Sequence, residues 1–411
     1  MRARSAIVLF LLLCALVPTP LGAAAEQFTE YRFADPIDAV SITINVEQEQ
    51  AVSAWNGEKW TPWQELSLEN EQDPALRESN LVMLPVGTTR IRFSSEISLS
   101  DTHPVRVSSA PAQFTVAAAG EISHKILTRR EWGADESLLV TTSSAQTSSA
   151  PAEAPEKTDN GNGSASSSPR EQDCLDMRAK YPSEFQSSTP VTENAAGEKL
   201  RWPQQYSPSV RLLVVHHTAI TVDGDTRPGL ERMRALYQYH AQNRTWGDIG
   251  YHYVIDDRGQ IYEGRAGGDS VVGGHVYCNN IGTVGIALMG NFDKEQPTQE
   301  QAKSLQWLLQ LLGQKYGIGM SRDVMFHGKS ISPIVGHRQL VSTDCPGTAM
   351  WSALDQVRTN VRSGNVDAAV LFPDVGSATV ATGETINDET RTIVTGKDGL
   401  AALSETAMDF L

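Results

Sequence analysis

Long hydrophobic runs are almost missing from this 411-residue sequence. The longest, Ala6 to Val17, falls short of the ~20 apolar residues that a membrane-spanning helix needs. Positive charge is scarce as well: 34 Lys and Arg stand against 49 Asp and Glu, a formal net charge of −15. So acidic a chain lacks the basic footprint that phosphates require, which argues against nucleic acid as a partner. No internal repeat is visible. Cysteine is sparse, with four in all, at positions 14, 174, 278 and 345.

What is present at the N-terminus accounts for the compartment. Arg2 and Arg4 precede the apolar run, and Pro18, Pro20, Gly22 and Ala23 to Ala25 follow it. A basic start, a short apolar core and an A-x-A site read as a secretory signal peptide over residues 1–25; a retained membrane anchor is the alternative. Cys14 follows Leu13 inside the apolar core, where lipoprotein processing expects a small residue, so lipidation is discounted. The expected product is secreted or held in the cell envelope, extracellular or periplasmic, without stable membrane insertion after cleavage, and monomeric. Cleavage leaves Cys174, Cys278 and Cys345, an odd number, in a compartment where disulfides can form.

The remainder has the composition of a soluble globular protein, with 40% hydrophobic and 20% charged residues. Residues 26–118 read as all-β. Ala39 to Val46 and Thr89 to Phe93 alternate apolar and polar as half-buried strands do, and Val105–Val107 and Gln113–Val116 resemble further strands. A small sandwich is the expected form. Trp55, Trp60 and Trp63 cluster there, either as a sugar-binding face or as core residues. Residues 119–210 hold a short block, ILTRREWGA at 126–134, then a Ser/Ala/Pro-rich stretch from Thr141 to Arg170 that reads as an insertion or linker. Residues 171–210 carry Cys174 and have no clear assignment.

Residues 211–363 read as one α/β domain with a mixed central sheet flanked by helices. Leu212 to Val215 and Val284 to Met289 are continuous apolar runs suited to buried strands. Pro228 to Asn243 has helical spacing. Asp256 to Gly259 marks a hairpin between 251–255 and 260–262. Thr298 and Gln301 form a capping box that opens a helix ending before Gly317, and Trp351 to Val361 suggests a closing helix. The tail, 364–411, is polar and unassigned.

Three side chains here suit zinc: His216 at a strand end, His337 in IVGHR and Cys345 in TDCPG. Three protein ligands leave a fourth position for water, as a catalytic site requires. With nine histidines in the chain, such a trio can also arise by accident.

The blocks TRREWGA, VVHHTA, WGDIGYHYVIDDRGQIYEGR, GGH, NNIGTVGIALMGNF and VGHRQLVSTDCPG, in that order, make the chain resemble the zinc amidases of the peptidoglycan recognition protein and phage amidase-lysozyme type. The resemblance covers 126–134 and 211–363. It implies a Zn2+ ion on His216, His337 and Cys345, the last eight residues beyond His337. Neighbouring residues on a strand point to opposite faces, so His216 and His217 cannot both serve; the resemblance selects His216. It places Tyr251 and Thr343 as catalytic groups, hydrogen-bonding the oxygen on which charge develops, each with a structural alternative as core tyrosine or helix cap. Arg265, His275 and Asn280 are expected near the substrate, Arg265 alternatively as a salt-bridge partner and His275 alternatively as a structural residue. The implied reaction is N-acetylmuramoyl-L-alanine amidase hydrolysis of bacterial peptidoglycan. Many members of this family bind peptidoglycan without cutting it, typically lacking the cysteine, so non-catalytic recognition is the alternative. Cys278 is unusual for the family; pairing with Cys174 explains both and leaves Cys345 for zinc.

Overall fold

The computed structural model describes residues 28–44, 50–67, 78–95, 97–107, 125–141 and 169–364. The signal peptide expected over 1–25, the strand expected at 113–116, most of the Ser/Ala/Pro-rich stretch and the tail beyond 364 lie outside them. All the described residues fall in one compact unit.

Five strands open the chain: β1 (Thr29–Ile42), β2 (Gln50–Ala54), β3 (Gln64–Leu66), β4 (Val82–Phe93) and β5 (Thr102–Val105). They form one antiparallel sheet in the order β3-β2-β4-β1-β5. The region is all-β, but its described strands do not split into the two facing sheets of a sandwich. The pairing register explains why. Ala39 lies between Met83 and Val105, and alternation sends these three to one face while Val40, Ile42, Val82 and Leu84 take the other. The second group forms a core with Ile91 and Phe93. The first group packs into the core of the following domain, beside Leu230, Met233 and Tyr239. The neighbouring domain therefore covers the first of these two faces. The Tyr239 hydroxyl donates to the Ser79 carbonyl at 2.9 Å, and Arg227 Nη1 donates to the Asp38 carbonyl at 2.9 Å. This sheet is docked on the second domain through a shared core.

The three tryptophans are neither core nor an open row of rings. Trp55 and Trp60 are half-buried, and Trp63 is exposed. Arg90 and Arg92, two apart on β4, present guanidinium groups to them. Arg90 lies 5.1 Å from the Trp55 ring and 5.2 Å from Trp60, and Arg92 lies 4.6 Å from Trp60 and 4.7 Å from Trp63. Cation–π attraction thus occupies ring faces that would otherwise be free.

The second domain starts earlier than residue 211. β6 (Ile126–Leu127) is the edge strand of its sheet, so the ILTRREWGA block belongs to the domain although the insertion interrupts the sequence. Trp132 in that block is fully buried and its indole N–H donates to the Glu263 carbonyl at 2.8 Å. Next come α1 (Pro169–Lys180), the hairpin of β7 (Val191–Glu193) and β8 (Lys199–Gln204), then β9 (Leu212–His217) and α2 (Gly229–Gln238), which runs into a wider π-turn over Tyr239–Asn243. After them follow β10 (Tyr253–Ile255), β11 (Ile261–Glu263), β12 (Thr283–Leu288), α3 (Gln299–Lys315), the hairpin of β13 (Val324–Phe326) and β14 (Lys329–Ile331), β15 (Ile334–Gly336) and α4 (Thr348–Ser363).

The central sheet runs β15-β9-β12-β10-β11-β6, parallel except for the β10–β11 hairpin. This is the mixed sheet expected. Leu213, Val215, Ile286 and Leu288 face α3 and α4, while Val254, Tyr262 and Ala287 face α2 and Trp132. Burial on both faces is why the central strands read as unbroken apolar runs. Thr298 and Gln301 make the capping box of α3. The unassigned segment from 171 packs on this domain, where Phe185 stacks on His327 at 4.5 Å between ring centres.

Cys174 of α1 and Cys278 form a disulfide across 104 residues of sequence. It holds α1 to the loop that leads into β12. Closing so long a loop removes chain entropy from the unfolded state, worth about 2–5 kcal/mol. Replacing both cysteines by serine is expected to lower unfolding free energy by that amount in guanidinium titrations while native circular dichroism is kept. An unchanged midpoint would show that the bond does not stabilise the domain.

Candidate metal centre

β9 and β15 are adjacent and parallel, with Gly336 opposite Val215. One step further along each chain stand His337 and His216, which therefore meet at the carboxyl ends of neighbouring strands, where ligands of α/β sheets commonly bind. Their ring centres are 4.5 Å apart. The loop after His337 returns Cys345 to the same place, its Sγ 3.5 Å from His216 Nδ1. Among the described residues, His216, His337 and Cys345 form one group whose ligand atoms all lie within 4.8 Å of each other. Bonds of about 2.0–2.3 Å to a tetrahedral zinc would separate such atoms by roughly 3.3–3.8 Å, so a small inward adjustment closes the set.

The chemistry of the site fits the same ion. His337 Nε2 is buried without a hydrogen-bond partner, which is costly unless something else uses its lone pair. Burial pushes the His337 imidazole down to about 3 and holds His216 well below the ordinary histidine range. Both rings are thus neutral, the form in which imidazole binds metal. Cys345 is buried and outside the disulfide. A soft thiolate with two neutral imidazoles is a zinc donor set.

His217 turns to the opposite face of β9, as alternation requires. Its Nδ1 accepts from the Phe292 N–H at 3.2 Å, and it takes no part in the cluster. Tyr251 does approach: its ring centre lies 5.2 Å from that of His216 and 5.5 Å from that of His240. It stands just before β10 rather than within it. Thr343 is half-buried, and its Oγ1 accepts the Cys345 N–H at 3.3 Å. The residue capping α4 is Gly347, so Thr343 supports the cysteine turn and not the helix.

The remaining expected site residues sit behind the cluster. Arg265 is buried, with Nη1 donating to the Ile249 carbonyl at 3.1 Å and its guanidinium 5.6 Å from the Trp202 ring. His275 is buried, its Nδ1 3.0 Å from His216 Nε2. The Asn280 side-chain oxygen accepts the backbone N–H groups of His275 and Val276, each at 2.9 Å. The hydrogen bonds of these three side chains are to the protein, and Arg265 Nε is buried without a hydrogen-bond partner. His240, which flanks Tyr251, carried no signal in the sequence: only the turn after α2 brings it there.

A family model described as N-acetylmuramoyl-L-alanine amidase matches residues 205–348. Peptidoglycan-recognition protein SC2 of Drosophila simulans is 32% identical over 143 residues, 34% of this chain and 70% of that protein. The N-acetylmuramoyl-L-alanine amidase of Homo sapiens is 34% identical over 144 residues, again 34% of this chain but only 23% of the human protein. Among solved structures, Drosophila PGRP-LB wild-type is 29% identical, covering 35% of this chain and 79% of that one with a TM-score of 0.30. The chain belongs to the family that unites peptidoglycan-recognition proteins with N-acetylmuramoyl-L-alanine amidases. Among the described residues no helix is long and apolar enough to cross a membrane.

Cys345→Ser replaces the soft ligand with a weak one. The expected result is a folded protein whose zinc content, measured by elemental analysis after dialysis, falls from one ion per chain to a small fraction. Full zinc retention by the variant would exclude Cys345 as a ligand.

Proposed function

We propose that this protein is a secreted, zinc-dependent N-acetylmuramoyl-L-alanine amidase. It hydrolyses the amide between the lactyl group of N-acetylmuramic acid and the L-alanine of the peptide stem in bacterial peptidoglycan. The observation that carries this reading is the convergence of His216, His337 and Cys345 beside Tyr251, with one buried imidazole nitrogen left without a partner. Export rests on the basic, apolar and small-residue order at the N-terminus.

A zinc ion held by these three groups would supply a Lewis acid with an open position, lowering the pKa of water and polarising the scissile carbonyl. Hydrolysis adds the oxygen of water to the lactyl carbonyl carbon and breaks the carbon–nitrogen bond. The alanine nitrogen takes up both protons of that water, giving a free carboxylate on the sugar and a free ammonium group on the peptide. Negative charge develops on the carbonyl oxygen before that bond breaks. Tyr251, beside His216, donates its hydroxyl proton towards that oxygen. Thr343, whose oxygen already accepts the Cys345 N–H, keeps its own proton as a second donor. His216, His337 and Cys345 would hold the ion, and desolvation of both imidazoles favours the neutral form that binds metal.

Tyr251→Phe removes one donor and leaves the ring and the three ligands in place. Loss of a donor to the developing oxyanion costs about 10²–10³ in kcat. The measurement is peptide release from a defined muropeptide, followed by mass spectrometry, beside zinc content. Retained zinc with a 10²-fold or greater loss of turnover is expected. A wild-type protein that binds muropeptide and zinc but releases no peptide would instead make this chain a recognition protein.

A further inference from the structure

One nitrogen of His216, Nδ1, faces Cys345 and would be the one to hold a zinc ion, while the other is engaged from behind. His275 Nδ1 lies 3.0 Å from His216 Nε2. His275 Nε2 lies 3.3 Å from Thr283 Oγ1, and that hydroxyl reaches the Asn279 carbonyl at 3.0 Å and the Asn280 carbonyl at 2.9 Å. The protons in this row can be assigned by elimination. A carbonyl only accepts, so the single hydroxyl proton of Thr283 goes to one of the two carbonyls, and its oxygen accepts from His275 Nε2–H. A neutral imidazole carries one N–H, so His275 Nδ1 is a bare acceptor. It must receive the proton from His216 Nε2, which leaves His216 Nδ1 bare on the side of Cys345, 3.5 Å from Sγ.

The chain makes room for His275 at two positions where a side chain cannot stand. A Cβ on Gly285 of β12 would lie 2.5 Å from the His275 ring, and one on Gly273 would lie 2.6 Å from it. Asn280 accepts the His275 backbone N–H. Gly285 and Ala287 share a face of β12, and Ala287 is paired with His216. Small residues under the two rings let them meet edge to face, at 88° between planes.

We propose that His275 is a positioning residue for the metal: through Thr283 and the carbonyls behind it, His275 fixes His216 as the Nε2–H tautomer and aims Nδ1 at the ion. The proposal rests on the zinc reading above. In metal sites the outer partner of a ligand histidine is commonly a carboxylate, a carbonyl or water; here a second histidine takes that place, itself oriented by a hydroxyl.

The test uses the full-length protein stripped of metal, then titrated with zinc against a chromophoric chelator and with cobalt followed by visible absorption. His275→Phe keeps a ring and removes the acceptor. His275→Asn places an amide oxygen near the lost Nδ1. Thr283→Val leaves His275 in place and frees its tautomer. Removal of such an outer partner typically costs 10–100-fold in metal affinity, so His275→Phe is expected to weaken zinc binding by that factor and to change the cobalt spectrum. His275→Asn should restore most of the affinity, and Thr283→Val should fall between. Melting of each metal-free variant at the wild-type temperature separates this from a folding defect. If His275→Phe does not fold, Thr283→Val decides, and wild-type affinity in that variant overturns the proposal. Wild-type affinity and an unchanged cobalt spectrum in a folded His275→Phe overturn it directly. A wild-type protein that takes up no zinc or cobalt would instead overturn the functional reading on which it rests.

Discussion

A buried imidazole must find partners for both nitrogens, because a polar atom taken out of water without one costs free energy. His216 is fully buried, and the site is arranged around that requirement. Its Nε2 is met by His275 and its Nδ1 faces Cys345. The strand that carries it, β9, lies between β12 and β15, so β12 supplies the small residues beneath the rings and β15 delivers His337 alongside. The disulfide between Cys174 and Cys278 braces the loop between His275 and Asn280, whose backbone and side chains orient the second imidazole. Neutral rings, a thiol and one unpartnered nitrogen follow from burial at the same point.

The same economy of packing joins the two domains. Alternate residues of β1, β4 and β5 enter a core already lined by α2, so the N-terminal sheet and the amidase domain each cover an apolar face of the other. That arrangement sets the orientation of the sheet with respect to α2 and the turn that carries His240, next to Tyr251. It also leaves the tryptophan and arginine ladder on β2–β4 outside this contact, where Arg90 and Arg92 are spread over the rings.

Much of this is legible in the sequence alone. Unbroken apolar runs at 212–215 and 284–289 marked strands buried on both faces, and the Thr298–Gln301 box and Gly317 marked the limits of α3. The hairpin at 256–259 followed from its turn residues. The trio His216, His337 and Cys345 was picked out by residue type, and its choice over His217 came from likeness to a family. Short polar strands such as β7, β8, β13 and β14 went unseen because a few residues carry too little periodicity.

By itself the sequence determined which strands of the second domain are buried on both faces, where its hairpin turns, and which side chains have the chemistry to bind zinc, because those properties depend on residue type and local spacing. It did not determine what covers each buried face. Ala39 alternates the same way whether a second sheet or helix α2 lies opposite, so the expected sandwich and the observed docked sheet share one pattern. Nor could it place His275 behind His216, since that 3.0 Å contact spans 59 residues and depends on strand register and on the space above Gly285. Only the tertiary structure decided these, because the partner of a polar atom is set by geometry between distant segments.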